Sequence, residues 1–79
     1  MDWRKYIEQR PDVLGGKPVF KGTRIGVQMV LEERAAGSSE QELLAAYPTL
    51  QPEHISAAYD YAAKVIGTDQ TLFVSESRA

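Results

Sequence analysis

At 79 residues, with a formal net charge of −2, 43% apolar and 25% charged residues, the chain has the composition of one small globular domain and not of a disordered segment. The absence of cysteine and the single histidine, His54, exclude a disulfide staple, a thiolate metal site and a metal site built on histidines. No apolar run approaches membrane-spanning length, and the opening Met1-Asp2-Trp3-Arg4-Lys5-Tyr6 lacks the apolar stretch of a secretory leader, so the expected location is cytoplasmic.

Charge is unevenly spread. Residues 1–24 carry six cations (Arg4, Lys5, Arg10, Lys17, Lys21, Arg24) against three anions, net +3, whereas residues 25–79 carry three cations against eight anions, net −5. Such asymmetry points to separate partners for the two parts, with nucleic acid on the basic side. Residues 1–10 mix Trp3, Tyr6 and Ile7 with charge and show no clear period; a strand and an irregular arm both fit. Pro11-Asp12 opens a turn. Val13-Leu14 and Pro18-Val19-Phe20 then flank Gly15-Gly16, which predicts a small β-hairpin that must pack on something to be stable.

The segment Gly15 to Arg24 is the most distinctive in the chain. Three glycines and a proline punctuate a short apolar core, interleaved with Lys17, Lys21 and Arg24. It is not a phosphate-binding P-loop: Pro11 stands where that motif needs its first glycine, and Pro18 where it needs a hydroxyl. Two readings remain. Either the glycines serve turns and the cations are solvated, or a shaped basic turn contacts an anionic partner.

The rest reads as three helices. Val27, Val30, Leu31 and Arg34-Ala35 share one face of a helix over 26–36, ended by Gly37. Ser39 and Glu42 form a Ser-x-x-Glu capping box that starts a helix over 39–47, with Leu43, Leu44 and Tyr47 facing inward and Pro48 stopping it. Pro52 suits the first position of a third helix over 52–66, whose apolar stripe is Ile55, Ala58, Tyr59, Ala62 and Ile66, stopped by Gly67. The predicted fold is mainly α: a three-helix bundle of helix-turn-helix outline with a small N-terminal β-hairpin. Residues 1–67 form the domain, with the hairpin and basic arm at 1–24 and the bundle at 26–66, and 68–79 form a tail.

As a recognition helix the third is poorly equipped. Glu53, His54, Ser56 and Asp60 are weak candidates, and only Gln51 and Lys64 suit base or phosphate contact. Nucleic-acid contact is therefore expected from Lys17, Lys21 and Arg24, with Gln51 and Lys64 in support. In the tail, Leu72-Phe73-Val74 is an apolar cluster that either packs back on the domain as a strand or docks on a partner. Catalysis finds no foothold: there is no nucleophile–base pair, and Glu32-Glu33 and Glu40/Glu42 fall on helix surfaces. No enzyme activity and no cofactor are expected. A domain this small without staples is expected to form a homodimer, with Trp3 and Tyr6 packing on the second subunit.

The run Pro11-Asp12-Val13-Leu14-Gly15-Gly16-Lys17-Pro18-Val19-Phe20-Lys21-Gly22-Thr23-Arg24-Ile25 resembles the signature of the uncharacterised-domain family numbered 433, described as VapB-like antitoxins. The likeness continues through Ala36-Gly37, Leu43-Leu44, Tyr47-Pro48-x-Leu50 and Ile55-x-Ala57-x-x-Tyr61-Ala62, covering residues 7–63. The resemblance implies a homeodomain-like three-helix domain preceded by a small β element. It also implies the antitoxin of a type II toxin–antitoxin pair, which dimerises, binds its operator DNA and inhibits a PIN-like ribonuclease toxin, with Leu72, Phe73 and Val74 as the toxin-facing residues. The alternatives are a free-standing helix-turn-helix transcriptional regulator and a dimeric protein-binding adaptor without nucleic-acid binding. The family's third helix usually opens with Thr or Ser and an acidic residue three places on. Gln51 and His54 stand there instead, which predicts a weaker cap and a solvent-facing His54.

Overall fold

Two short strands tie the N-terminal arm to the basic segment. β1 (Ile7–Glu8) pairs antiparallel with β2 (Val19–Phe20), Ile7 opposite Phe20 and Glu8 opposite Val19. The computed structural model describes residues 1–68. The hairpin partner therefore differs from the expected one. Val13 is buried but unpaired in the sheet, and Leu14–Gly16 forms a 3-10 turn. Leu14, Gly15 and Gly16 have φ of 49°, 64° and 86°. Successive left-handed positions curl the chain too tightly for Val13-Leu14 to run alongside β2. The strand falls instead to Ile7, whose apolar side chain can face the core while Glu8 turns outward.

α1 (Val27–Ala35), α2 (Glu40–Ala46) and α3 (Pro52–Thr68) follow. α1 has no side-chain N-cap; its first N–H, from Val27, donates to the Pro18 carbonyl at 3.1 Å, so the strand itself caps the helix. α2 begins with the expected capping box. The Glu42 N–H donates to Ser39 Oγ at 3.1 Å, and the Ser39 N–H donates to Glu42 Oε1 at 2.7 Å. The Ser39 backbone bond, then its hydroxyl bond, hold the Glu42 carboxyl below its ordinary range. α3 runs through Gly67 to Thr68, past the expected stop. An exposed helical position tolerates glycine at modest cost, and the Thr68 hydroxyl donates to the Val65 carbonyl at 2.8 Å.

The core joins hairpin and helices: Ile7, Phe20, Val27, Val30, Leu43, Leu50, Ile55, Ala57 and Ala58 pack in one cluster. The buried face of α3 is rotated from the expected stripe. Ala57 and Tyr61 turn inward, while Tyr59 and Ile66 are exposed. The aromatic arm causes the rotation. Trp3, in a 3-10 turn over Trp3–Lys5, meets Tyr61 edge-on at 4.7 Å between ring centroids, and Tyr6 meets His54 at 5.4 Å. Trp3 and Tyr6 thus serve the chain's own third helix. Among the described residues no helix is long and apolar enough to cross a membrane.

Candidate functional site

The turn from Lys21 to Arg24 is held on every side. The Phe20 N–H donates to the Ile25 carbonyl at 3.1 Å, and Thr23 closes the loop with backbone and hydroxyl bonds to the Phe20 carbonyl at 3.0 and 2.8 Å. The Thr23 hydroxyl oxygen also accepts the Ile25 N–H at 3.0 Å. Gly22, at φ 73°, occupies a position that suits glycine. From the strand side, one carboxylate oxygen of Glu8 accepts both the Gly22 N–H at 3.0 Å and Arg10 Nη1 at 2.6 Å. Arg10 Nη2 then donates to the Thr23 carbonyl at 2.7 Å.

This bracing divides the basic residues into two groups. Arg10 is spent on Glu8 and Thr23. Lys21 and Arg24 are exposed and form no ion pair among the described residues. Lys17 is likewise exposed and unpaired, just after the 3-10 turn, whose Gly16 carbonyl is held by the Gln9 side-chain amide at 2.9 Å. It borders a hollow shared with Gln28, Met29 and Glu32 of α1. Three cations thus stand on or beside a cross-braced backbone, so an anion would have to order their side chains but not the turn that carries them.

Gln51, just before α3, and Lys64, within it, do not lie side by side. They are thirteen residues apart in the chain, about 20 Å along the direction of the helix axis. The Gln51 backbone N–H donates to His54 Nδ1 at 2.9 Å. Lys64 pairs with Asp60 at 2.7 Å, and that bond holds the Asp60 carboxyl below its ordinary range against the burial that would raise it. The expected partner residues Leu72, Phe73 and Val74 lie outside the described residues.

Sequence reasoning missed four contributors. Glu8 and Arg10 had a signal, an i, i+2 charge pair on one side of a strand, but nothing in the sequence placed the turn beside them. His54 is half-buried and not solvent-facing: it caps α3 through Nδ1 and packs edge-on against Phe20 at 5.6 Å. An acceptor three residues past the cap was the available clue, with imidazole in place of Glu or Gln. Tyr59 links all three helices, its hydroxyl accepting from Arg34 Nε and donating to Glu40, both at 3.1 Å.

A second feature lies between α1 and α3. Val27, Leu31, Ala35, Ala62, Val65 and Ile66 line an open apolar groove of about 440 Å³, with Pro18 at one end and Tyr61 in its wall. Val65 and Ile66 are 44% and 57% exposed. Among the described residues no three His, Asp or Glu side chains converge as metal ligands.

Residues 7–62, which hold the hairpin, the basic turn, the first two helices and much of the third, match a family described as "Protein of unknown function (DUF433)". The chain belongs to that family. It is 44% identical over 59 residues to the uncharacterized protein y4eO of Sinorhizobium fredii (strain NBRC 101917 / NGR234), covering 75% of this chain and 27% of that relative. It also resembles the crystal structure of a DUF433 member protein from Anabaena variabilis ATCC 29413. That likeness has 40% identity and a TM-score of 0.71, and covers 73% of this chain and 57% of the other. The chain thus spans about a quarter of the curated relative and just over half of the solved one.

Proposed function

We propose that the protein is the antitoxin of a type II toxin–antitoxin pair, a homodimer that binds operator DNA and inhibits a PIN-like ribonuclease encoded beside it. In this reading the three helices act as a homeodomain-like bundle, but the phosphate contacts come from the turn ahead of it. The observation that carries the reading is the trio Lys17, Lys21 and Arg24: exposed, unpaired among the described residues, and mounted on a backbone braced by Glu8 and Arg10. α3 is the weaker candidate for the DNA contact, since Lys64 is paired with Asp60 and Tyr59 is tied to Arg34 and Glu40.

The test is a titration of the DNA upstream of the gene at several salt concentrations. Changing Lys17, Lys21 and Arg24 together to Ala should lower the log–log salt slope by about 0.9 for each phosphate that is no longer neutralised. An unchanged slope removes the turn from the interface. Co-purification with the product of the neighbouring reading frame tests the toxin half separately. The apolar groove favours a second reading, a protein-binding adaptor without nucleic-acid binding, and absence of any DNA shift at low salt would select it.

A further inference from the structure

The groove between α1 and α3 is mainly apolar, with Gln28 and Glu32 the polar residues among its α1 lining, and among the described residues nothing covers it. Its volume of about 440 Å³ falls in the range that buries a compact apolar ligand, roughly 300–1,000 Å³. Leaving Val65 and Ile66 in water forgoes the stabilisation that burying a large aliphatic side chain brings. Past Thr68 the sequence continues with Asp69-Gln70-Thr71 and then Leu72-Phe73-Val74.

We propose that Leu72-Phe73-Val74 folds back and fills the α1–α3 groove of its own chain, with Phe73 between Leu31 and Val65. The reach fits. Three linker residues span about 10 Å when extended, and the helix rises only about 9 Å from Ala62 to Thr68. A reversed segment therefore lies level with Ala62, Val65 and Ile66 without strain. The linker is polar, as a chain reversal requires, and the segment after it is β-prone and apolar, as a groove occupant requires. Groove wall and occupant also belong together in the sequence. The family match ends at residue 62, and Val65, Ile66 and Leu72 to Val74 all follow it. The inference stands on the groove and the tail alone. Where a toxin also takes these three side chains, groove and toxin compete for them, and the tail is held back until the partner arrives.

The test uses the full chain. With no native cysteine, Ser75→Cys carries a single nitroxide label at the end of the segment. The methyl signals of Leu31, Val65 and Ile66 should lose most of their intensity relative to the reduced label. Phe73→Ser in the same chain should restore them, and Ile66→Glu, placed at an exposed position so that the fold persists, should restore those of Leu31 and Val65. Methyls that keep full intensity overturn the proposal, as does broadening that survives Phe73→Ser. A second sample mixes isotope-labelled chains lacking the nitroxide with unlabelled chains carrying it. Signal loss in that sample means the tail of a second copy fills the groove, and overturns the intramolecular assignment.

Discussion

Glu8 and Arg10 stand two residues apart and meet at 2.6 Å, and each reaches across to a different side of the same turn, Glu8 to the Gly22 N–H and Arg10 to the Thr23 carbonyl. The pair is about a third exposed, so its Coulomb attraction is screened, and its effect lies in geometry. It fixes the turn backbone between Lys21 and Arg24. A double-mutant cycle with Glu8→Ala and Arg10→Ala, read by urea unfolding, should give a coupling energy of about 1 kcal/mol. Independent effects of the two substitutions would show that each holds the turn alone.

The capping box gives a pH signature. Ser39→Ala should lower stability by about 1 kcal/mol. Glu42 has a folded pKa below its unfolded value, because its carboxylate accepts the Ser39 N–H. Its contribution is therefore complete above the unfolded value of about 4.5 and is lost as pH falls through the lower folded value. Thermal melts of the parent and Glu42→Gln should diverge most above that value and draw together in acid. A gap between them that stays constant down to the lowest pH would remove the carboxylate from the cap.

His54 has two duties that substitution can separate. His54→Gln retains an acceptor for the Gln51 N–H but gives up the edge-on contacts with Tyr6 and Phe20, whereas His54→Ala loses both. The cap is worth about 1 kcal/mol, and ring contacts of this kind about 1 kcal/mol each. His54→Ala should therefore be the less stable variant by about 1 kcal/mol. Equal denaturation midpoints would mean that the ring contacts alone matter.

Self-association should not depend on the aromatic arm, since Trp3 and Tyr6 are engaged by Tyr61 and His54 of the same chain. Trp3→Ala is expected to cost about 3 kcal/mol of stability, as for a large aromatic removed from packing, while leaving the sedimentation of the folded fraction unchanged. A shift to a lighter species at full folding would restore the arm to a subunit interface.

How much of this was legible in the sequence depends on how local each cause is. Ser39-x-x-Glu42, Pro48 and Pro52 act within one helical turn, and α2 and the start of α3 fall where they predict. β1 is two residues long, too short to show a period, and its partner is chosen by the coil at Leu14–Gly16, where Gly15-Gly16 announces a turn but nothing announces the positive φ of Leu14. Likewise, the rotation of α3 is set by Trp3, from the far end of the chain. The trio Lys17, Lys21 and Arg24 was visible as charge. Only the fold shows that Arg10 is withdrawn from that set and that Lys64 is matched by Asp60.

The Pro18 carbonyl that receives the first N–H of α1 also bears on the order of assembly. With the Val19–Gly26 bridge and the Phe20–Ile25 bond, it closes a loop between near neighbours in the chain, where closure costs little entropy. The contacts of Trp3 with Tyr61 join distant positions and are expected to form later. Pulsed hydrogen exchange should therefore protect the Val27 amide before that of Lys21, which donates to the Tyr6 carbonyl of the distant arm, and simultaneous protection would refute the order. A chain emerging from the ribosome can then shape its basic turn, and start its first helix, while the third is still being synthesised.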